Sequence, residues 1–385
     1  MADTPKVTRE VYAMKRMDDA EIGGVLAEIE RQKTTKKDYV ADTRKLHATV
    51  ADGEVLVSVP AAGEDTLLKI KPTARRQMAA HFKVPSDYFL RLLEDAKHQP
   101  LAAATLNHFF DAEPSKRLIR TLDGAVRSFH SNTYRPLDNA DLFFNAYEEL
   151  EKIKAELWFA RLTDDSFRLY AVNPGTWAEV TTKRRGLDLR DFPGGEGGGT
   201  AGAPDRHHPA ISIDNSETGC GGLHVRAADV RAACLNLNVT DVGVMSIHRG
   251  SRKEDEGFLS QETLVADSKV VWMKVRDLIK ATFDQKKFQR MIDLMNGATL
   301  DEVEDVVKVV DALAAAYYIP EDVKGSIRNR FIKSPDKTRY GLINSVTFEA
   351  HNTGLSDDTK NLLEDVGGKL LETTIEKVLV AATSK

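Results

Sequence analysis

Arginine is concentrated in one short stretch of this chain, "RLIRTLDGAVRSFHSNTYRPLDN", residues 117–139. It holds Arg117, Arg120, Arg127 and Arg135, with Lys116 just before, His130 within, and Asp123 the one acidic residue between 115 and 137. Asp123-Gly124 is a two-residue hairpin signal, because a type I′ turn requires positive φ at both central positions. A regular hairpin closed there sets Leu122 against Ala125, Thr121 against Val126 and Arg120 against Arg127. Like charges directly opposite each other on a sheet are unfavourable. An anion between them reverses the sign, and the planar guanidinium fork matches phosphate. Phe129 and Tyr134 add aromatic faces of the kind on which single-stranded bases stack. A second small basic cluster, "HRGSRK", supplies Arg249, Arg252 and Lys253. The competing reading pairs Arg120 and Arg127 with carboxylates of a covering helix, such as Glu148, Glu149 or Glu151.

The other segment of chemical interest is "NSETG". Glu217 stands between two expected strands, with Asn215, Ser216 and Gly219 around it. Asn and Ser side chains bond local backbone and glycine allows the bend, so a structural turn accounts for this composition. An active site around Glu217 and His224 is a third and weaker reading, since no recognisable catalytic spacing accompanies it. No catalytic residue is assigned.

Other signatures are missing from the sequence. There is no Walker A lysine, no G-x-S-x-G and no H-E-x-x-H. Gly197, Gly199 and Gly202 fall in G-x-G-x-x-G register, but Phe192-Pro193 precedes them and Pro204 follows, where a dinucleotide site needs a strand and a helix. His207, His208, Cys220, His224, Cys234 and His248 match no zinc-ligand spacing. The expectation is no cofactor and no metal.

The elements that must position these residues follow from periodicity. Residues 18–32 carry Ile22, Val25, Leu26 and Ile29 at helical spacing. "RQKTTKKDYVADTRK" (31–45) has six positive and two negative charges and reads as a solvated connector. "EVLVSV" and "TLLKI" read as strands. Residues 73–96 read as helix, turn, helix with Ser86 as N-cap, an outline like a DNA-reading motif but with an acidic start to the second helix. A helix follows Pro136 to about residue 155. "AELWFARL" and "SFRLYAV" form a second hairpin about Thr163-Asp164-Asp165. "AISIDNS" and "GGLHV" are strands, 226–238 a helix and 241–250 a strand. After 257 the pattern is helical, over 258–284, 285–296, 299–317, 320–333 and 357–380. The fold class is α+β: an antiparallel hairpin-rich sheet with packed helices, then a mainly helical C-terminal domain. The boundaries are an N-terminal helix and basic connector (1–48), a hairpin-rich domain (49–256) with a Gly-rich loop (193–204), and a helical domain (257–385). Apolar stripes on 299–317 and 371–382 either close a core or join subunits of a homo-oligomer.

Taken in order, "RLIRTLDGAVRSFHSNTYRPLDN", "ISIDNSETGCGGLHV", "AACLNLNV", "IHRG" and "GLINSVTFEA" resemble the phage/plasmid-like protein family known as domain of unknown function 932. "YRPLDN" and "NSETG" are its most distinctive blocks, and the resemblance runs over residues 45–370. Members usually carry Asn-Gly after the C-x-N segment, where this chain reads Cys234-Leu235-Asn236-Leu237-Asn238. The resemblance implies a phage, prophage or plasmid setting and no settled shared activity. The hairpin-and-helix outline is also similar to that of phage single-strand annealing proteins, without a shared motif.

Bulk properties bound the outcome. The 385 residues suffice for two or three domains, and the net charge of −5 excludes a polycation, so any attraction to phosphate is local. Two cysteines, no signal-peptide pattern and no long apolar run lead to the expectation of a reducing, cytoplasmic setting and no membrane. The expected function is non-enzymatic nucleic-acid binding, single-stranded DNA favoured, in replication, recombination or annealing. The expected contacts are Arg117, Arg120, Arg127, His130, Tyr134, Arg135, Arg249, Arg252 and Lys253. The alternative is a protein-interaction or anti-host-defence regulator that binds no nucleic acid.

Overall fold

The computed structural model describes residues 16–63, 66–132, 134, 137–181, 205–231, 237–240, 261–351 and 354–383. The Gly-rich loop 193–204, Arg135, Cys234, His248, Arg249, Arg252, Lys253 and the strand expected at 241–250 lie outside them.

Two sheets organise the first two thirds of the chain. The first has the order β1-β5-β6-β4-β3-β2, from β1 (Lys37–Asp42), β2 (His47–Ala51), β3 (Glu54–Ser58), β4 (Leu67–Ile70), β5 (Lys116–Leu122) and β6 (Ala125–Ser131). Helices α2 (Pro72–His81), α3 (Ser86–Glu94) and α4 (Gln99–Ala112) cover one face. Val57, Ile70, Met78, Phe89, Leu106, Phe110, Ile119, Val126 and Phe129 fill the core between them. Pro85, not Ser86, occupies the α3 N-cap position.

The second sheet runs β12-β11-β10-β8-β7, with β9 (Ala178–Val180) also on β10. Its strands are β7 (Glu156–Leu162), β8 (Phe167–Val172), β10 (Asp205–Asn215), β11 (His224–Arg231) and β12 (Leu237–Thr240). Helices α1 (Asp19–Thr35), α5 (Asn139–Lys152) and α6 (Gln261–Thr282) close a second core on Ile29, Phe143, Leu150, Phe167, Leu169, Ile211, Ile213, Val225 and Ile279. All strand pairings are antiparallel except β4 with β6, joined over Lys69↔Ala125 and Ile70↔Val126.

The C-terminal part is helical: α7 (Gln285–Ala298), α8 (Val306–Tyr317), α9 (Glu321–Lys333), α10 (Arg339–Ala350), α11 (Asp357–Glu372) and α12 (Ile375–Thr383). Val309, Val310 and Leu313 of α8 and Ile375 and Val378 of α12 are buried in this helical core. The two apolar stripes therefore close their own domain. The α+β class with a helical C-terminal region is as the patterning indicates.

Three local expectations need correction. The basic connector is a strand over Lys37–Asp42, paired to β5 from Lys37↔Thr121 to Asp42↔Lys116. Its short alternation of charged and apolar residues serves an edge strand better than a linker. Residues 226–231, expected to start a helix, continue the strand β11 (His224–Arg231). Eight registered pairs with β10 override the helical propensity of the alanines. The long helix expected over 357–380 breaks at Thr373 into α11 and α12.

One buried polar chain joins the second sheet to the helical region. The Tyr340 hydroxyl donates to Asp205 (2.6 Å) and lies 2.8 Å from His207 Nε2, while His207 Nδ1 meets Asp229. His207 and Asp229 are fully buried. Among the described residues, no helix is long and apolar enough to cross a membrane.

Candidate functional site

The hairpin forms as Asp123-Gly124 dictates: their φ values are 53° and 72°. Leu122 faces Ala125 and Thr121 faces Val126, but Arg120 faces Ser128, because the register shifts between Arg120 and Thr121. Arg127 is the extra residue of a β-bulge. The bulge changes the phase of β6, so Phe129 joins Val126 in the core under α2–α4. The arginines are thus not cross-strand partners, and no bound anion is needed to reconcile them.

What meets them instead is the tip of the second sheet. Glu217, in the β10–β11 turn, is 2% exposed. Its Oε2 takes an ion pair from Arg127 Nη2, and Arg120 Nη1 lies 3.8 Å from the same oxygen. Its Oε1 accepts from the Asn139 backbone N–H (2.6 Å) and lies 3.6 Å from Lys36 Nζ. Its carbonyl accepts from Arg120 Nη1 at 2.7 Å. Asp38 and Asp138 complete the Arg120 shell at 2.9 and 3.2 Å, and Lys36 bonds Asp138 at 2.9 Å. Arg127 Nη1 donates to the Asp164 carbonyl. Three cations thus balance three carboxylates.

The phosphate-facing arrangement expected of Arg120 and Arg127 is corrected accordingly. They are 1% and 0% exposed, and their guanidinium groups are committed to internal acceptors. Glu148, Glu149 and Glu151 are not the partners either. Glu148 and Glu149 instead meet Lys152, Arg276 and Lys280. The ion pairs set local titration. Burial opposes ionisation of Asp138, but Lys36 and Arg120 outweigh it and hold the carboxyl below the usual range. Burial likewise disfavours the Arg120 charge, and Asp38, Glu217 and Asp138 reverse that.

Around this knot the hydrogen bonds are largely side chain to turn. Gln77 of α2 donates to the Thr218 carbonyl (2.7 Å) and accepts from the Phe129 N–H (2.7 Å). Ser216 Oγ donates to the Asp165 carbonyl, and Asn215 Nδ2 to the Leu137 carbonyl and Asn139 Oδ1. Thr73 Oγ1 lies 3.6 Å from Cys220 Sγ. The turn reading of Asn215, Ser216 and Gly219 is realised, and Glu217 is its buried anchor. Gly219 has φ +76°, and a Cβ there would stand 2.8 Å from His130 Cε1. Gly219→Ala is expected to cost about 1–2 kcal/mol from the left-handed backbone alone, read as a lowered midpoint in urea denaturation.

At the open end of the hairpin the surroundings differ. Arg117 pairs with Ser131 across β5–β6, and the Tyr134 N–H donates to the Ser131 carbonyl at 3.1 Å. The His130 and Tyr134 rings stack at 3.7 Å with 8° between planes. Arg117 lies over the Phe129 ring at 4.7 Å and donates to the Phe129 carbonyl at 3.3 Å. It is half-buried and has no carboxylate within ion-pair distance among the described residues. Burial pushes its pKa down to about 10. Burial also pushes the Tyr134 phenol up to about 12.

A second charged knot lies between the second sheet and α11. Asp214 receives Arg168 at 2.5 Å and Arg226 at 2.6 Å; Tyr170 donates to Glu364 at 2.8 Å, and Arg226 reaches Asp365 at 2.7 Å. His224 pairs with Asp214 across β10–β11 and is influenced by Arg226, Asp214 and Asp365, so it belongs to this knot and not to a site shared with Glu217. Among the described residues, no group of three or more His, Cys, Asp or Glu is placed to hold a metal ion.

Sequence reasoning missed Lys36, Asp38, Asp138 and Gln77 as members of the knot. Lys36 and Asp38 stood out only as part of a charge run, and Asp138 only as part of the segment that opens the helix after Pro136. No family model, curated protein or solved structure matches the chain.

Proposed function

We propose that the protein binds single-stranded nucleic acid without catalysis, in the replication or recombination of a phage or plasmid; the resemblance to domain of unknown function 932 implies that setting and no particular activity. The observation that carries this reading is the open end of the hairpin. There, Arg117 lacks a carboxylate partner among the described residues and lies over Phe129 on the α2 side of the hairpin, while the stacked His130 and Tyr134 rings lie on its other side, toward Gly219. A half-buried guanidinium held by a ring and a carbonyl keeps its charge available to a phosphate. His130 is buried (8% exposed), so it backs the Tyr134 ring, and Tyr134 is the ring left to meet a base. Arg135, Arg249, Arg252 and Lys253 remain proposed contacts on sequence grounds. A cytoplasmic setting and self-association along a strand belong to the same proposal, with Val307 and Val380 as exposed apolar residues on α8 and α12.

The test is a salt series of binding to single-stranded and duplex oligonucleotides, with light scattering for size. Arg117→Ala is expected to weaken binding across sequences and flatten the log–log salt slope by about 0.7, the share of one phosphate on a single strand. Tyr134→Ala is expected to cost about 1–3 kcal/mol of affinity. The melting temperature of Arg117→Ala stays close to wild type, and Tyr134→Ala binding is read per folded molecule because the ring also packs on His130. A wild type that binds no oligonucleotide at low salt, or an unchanged slope in Arg117→Ala, removes the reading.

A further inference from the structure

Arg117 carries a charge that nothing around it balances. It is half-buried, and among the described residues its guanidinium makes one hydrogen bond, from Nη2 to the Phe129 carbonyl at 3.3 Å. Its Nε is buried without an acceptor among them. Burial lowers its pKa to about 10, and no acidic group among the described residues counters that. An uncompensated guanidinium costs stability, and a perturbed charge of this kind marks a place where an anion arrives. Two more side chains stand beside it on the α2 side of the hairpin. His81 ends α2, and its ring lies 5.8 Å from the Phe129 ring, on which Arg117 also rests at 4.7 Å. His81 Nε2 is 3.2 Å from Ser115 Oγ, while Nδ1 makes no hydrogen bond among the described residues. Ser115 is fixed by Thr43: its N–H donates to Thr43 Oγ1 and its carbonyl accepts from the Thr43 N–H, both at 3.0 Å.

Unlike Arg120 and Arg127, this group is neither filled nor neutralised, and His81, Ser115 and Arg117 each keep some contact with solvent. The charges that reach His81 are those of Arg117 and of Glu113, which is exposed just past the end of α4. Burial and Arg117 outweigh Glu113 and hold the imidazole below its usual range, so it is mostly neutral near pH 7. Glu113 and the carbonyl end of α2 oppose an anion, but both favour an imidazolium at this place. Exposure screens Glu113, whereas Arg117 acts from a half-buried position.

We propose that Arg117, His81 and Ser115 form a proton-coupled phosphate site, in which His81 takes up a proton from solvent as a phosphate group settles beside Arg117. The inference rests on the single-strand reading for the source of the phosphate, a backbone phosphodiester, and adds the side chains and the proton that hold it. An anion between the two groups offsets the repulsion from Arg117 and raises the His81 pKa. Affinity is therefore lowest above the bound-state pKa, climbs as pH falls, and levels off below the free-state pKa.

The full chain, His81→Gln and Arg117→Ala are titrated with a thymine-only single-stranded oligonucleotide by fluorescence anisotropy, at fixed ionic strength, from about pH 8 to about pH 5, the range in which histidine titrates. Wild-type affinity is expected to rise about tenfold over that range, the effect of a pKa shift of about one unit. His81→Gln is expected to bind as wild type does near the upper end and to lose the rise, read per folded molecule because the ring packs on Phe82 and Phe129. Arg117→Ala is expected to lose the rise too. A rise left whole in either variant comes from another group and overturns the proposal, as does a wild type that binds with no rise. Should His81→Gln not fold, exchange of the histidine Cε1 hydrogen in wild type, followed by mass spectrometry, reads the His81 pKa with the oligonucleotide and, separately, with inorganic phosphate. A shift of about one unit upward with the oligonucleotide supports the site on a strand. A shift with inorganic phosphate alone keeps the site and removes the single-strand reading. A strand that binds while neither ligand moves His81 keeps that reading and overturns the site.

Discussion

Arg127→Ala is expected to lower stability by about 3–5 kcal/mol, the range for breaking a buried ion pair by removing one partner. Glu217 is left at 2% exposure with its closest cation gone. Arg120 and Lys36, at 3.8 and 3.6 Å, recover only part of the loss. Arg127→Lys is expected to fall between, because lysine keeps the charge but cannot reach Glu217 and the Asp164 carbonyl as a fork. A double change, Arg127→Met with Glu217→Gln, is expected to be milder than Arg127→Ala, since no buried charge is then orphaned. Urea denaturation with a double-mutant cycle reads the coupling. A melting temperature of Arg127→Ala close to wild type sinks the account of this knot.

The second large effect concerns Asp214, held between the buried Arg168 and Arg226. Asp214→Ala is expected to cost about 3–5 kcal/mol at neutral pH, for the same reason with opposite charges. The pH profile adds a sharper test. Burial raises the Asp214 pKa, but Arg168 and Arg226 together bring it below the usual carboxylate range. Asp205 and Asp138 are lowered likewise, against burial, by Arg231 and by Lys36 and Arg120. A depressed pKa means that the unfolded chain binds the proton more readily. Their stabilisation is therefore complete above about pH 4 and is lost as pH falls through the folded-state values. Glu364 runs the other way, because burial raises its pKa and the arginines only partly offset that. The folded state takes up its proton first, so stability rises slightly as pH drops through the range just above 4.5. The melting temperature should show a shallow shoulder and then an acid fall. Asp214→Asn should flatten the fall, and Glu364→Gln should erase the shoulder. A profile unchanged in both variants means that these groups titrate as they do in the unfolded chain.

The hairpin turn, the antiparallel bias, the helix after Pro136 and the helical C-terminal part were legible because each is written locally, in turn residues and in periods of two or 3.6. The bulge at Arg127 was not. It depends on a register shift set by packing of Val126 and Phe129 beneath α2, and no local pattern marks an extra residue. The fate of the arginines was hidden for a similar reason. Arg120 and Arg127 lie in a hairpin that looks able to face solvent. Their partner Glu217 is 90 residues beyond Arg127, in a turn whose composition alone explains a bend. The strand β11 was misread because alanines at 227, 228, 232 and 233 carry helical propensity, while its pairing with β10 is a tertiary fact. Of the candidate site, the segments were legible and the side of each that faces inward was not.

Strand β1 ends at Asp42, but β5, its one strand neighbour among the described residues, begins at Lys116. During synthesis at roughly 5–20 residues per second, β1 waits roughly 4–15 s for a partner. The meander of β2, β3 and β4 can close at once, whereas β4 must wait for β6. The waiting strand reads Lys-Asp-Tyr-Val-Ala-Asp, and Val40 stays 58% exposed even in the finished fold. Its charged residues keep an unmatched edge from pairing with the wrong chain in that interval. Lys33 and Lys36, just before it, add to that charge, and Lys36 then takes its place in the Glu217 knot.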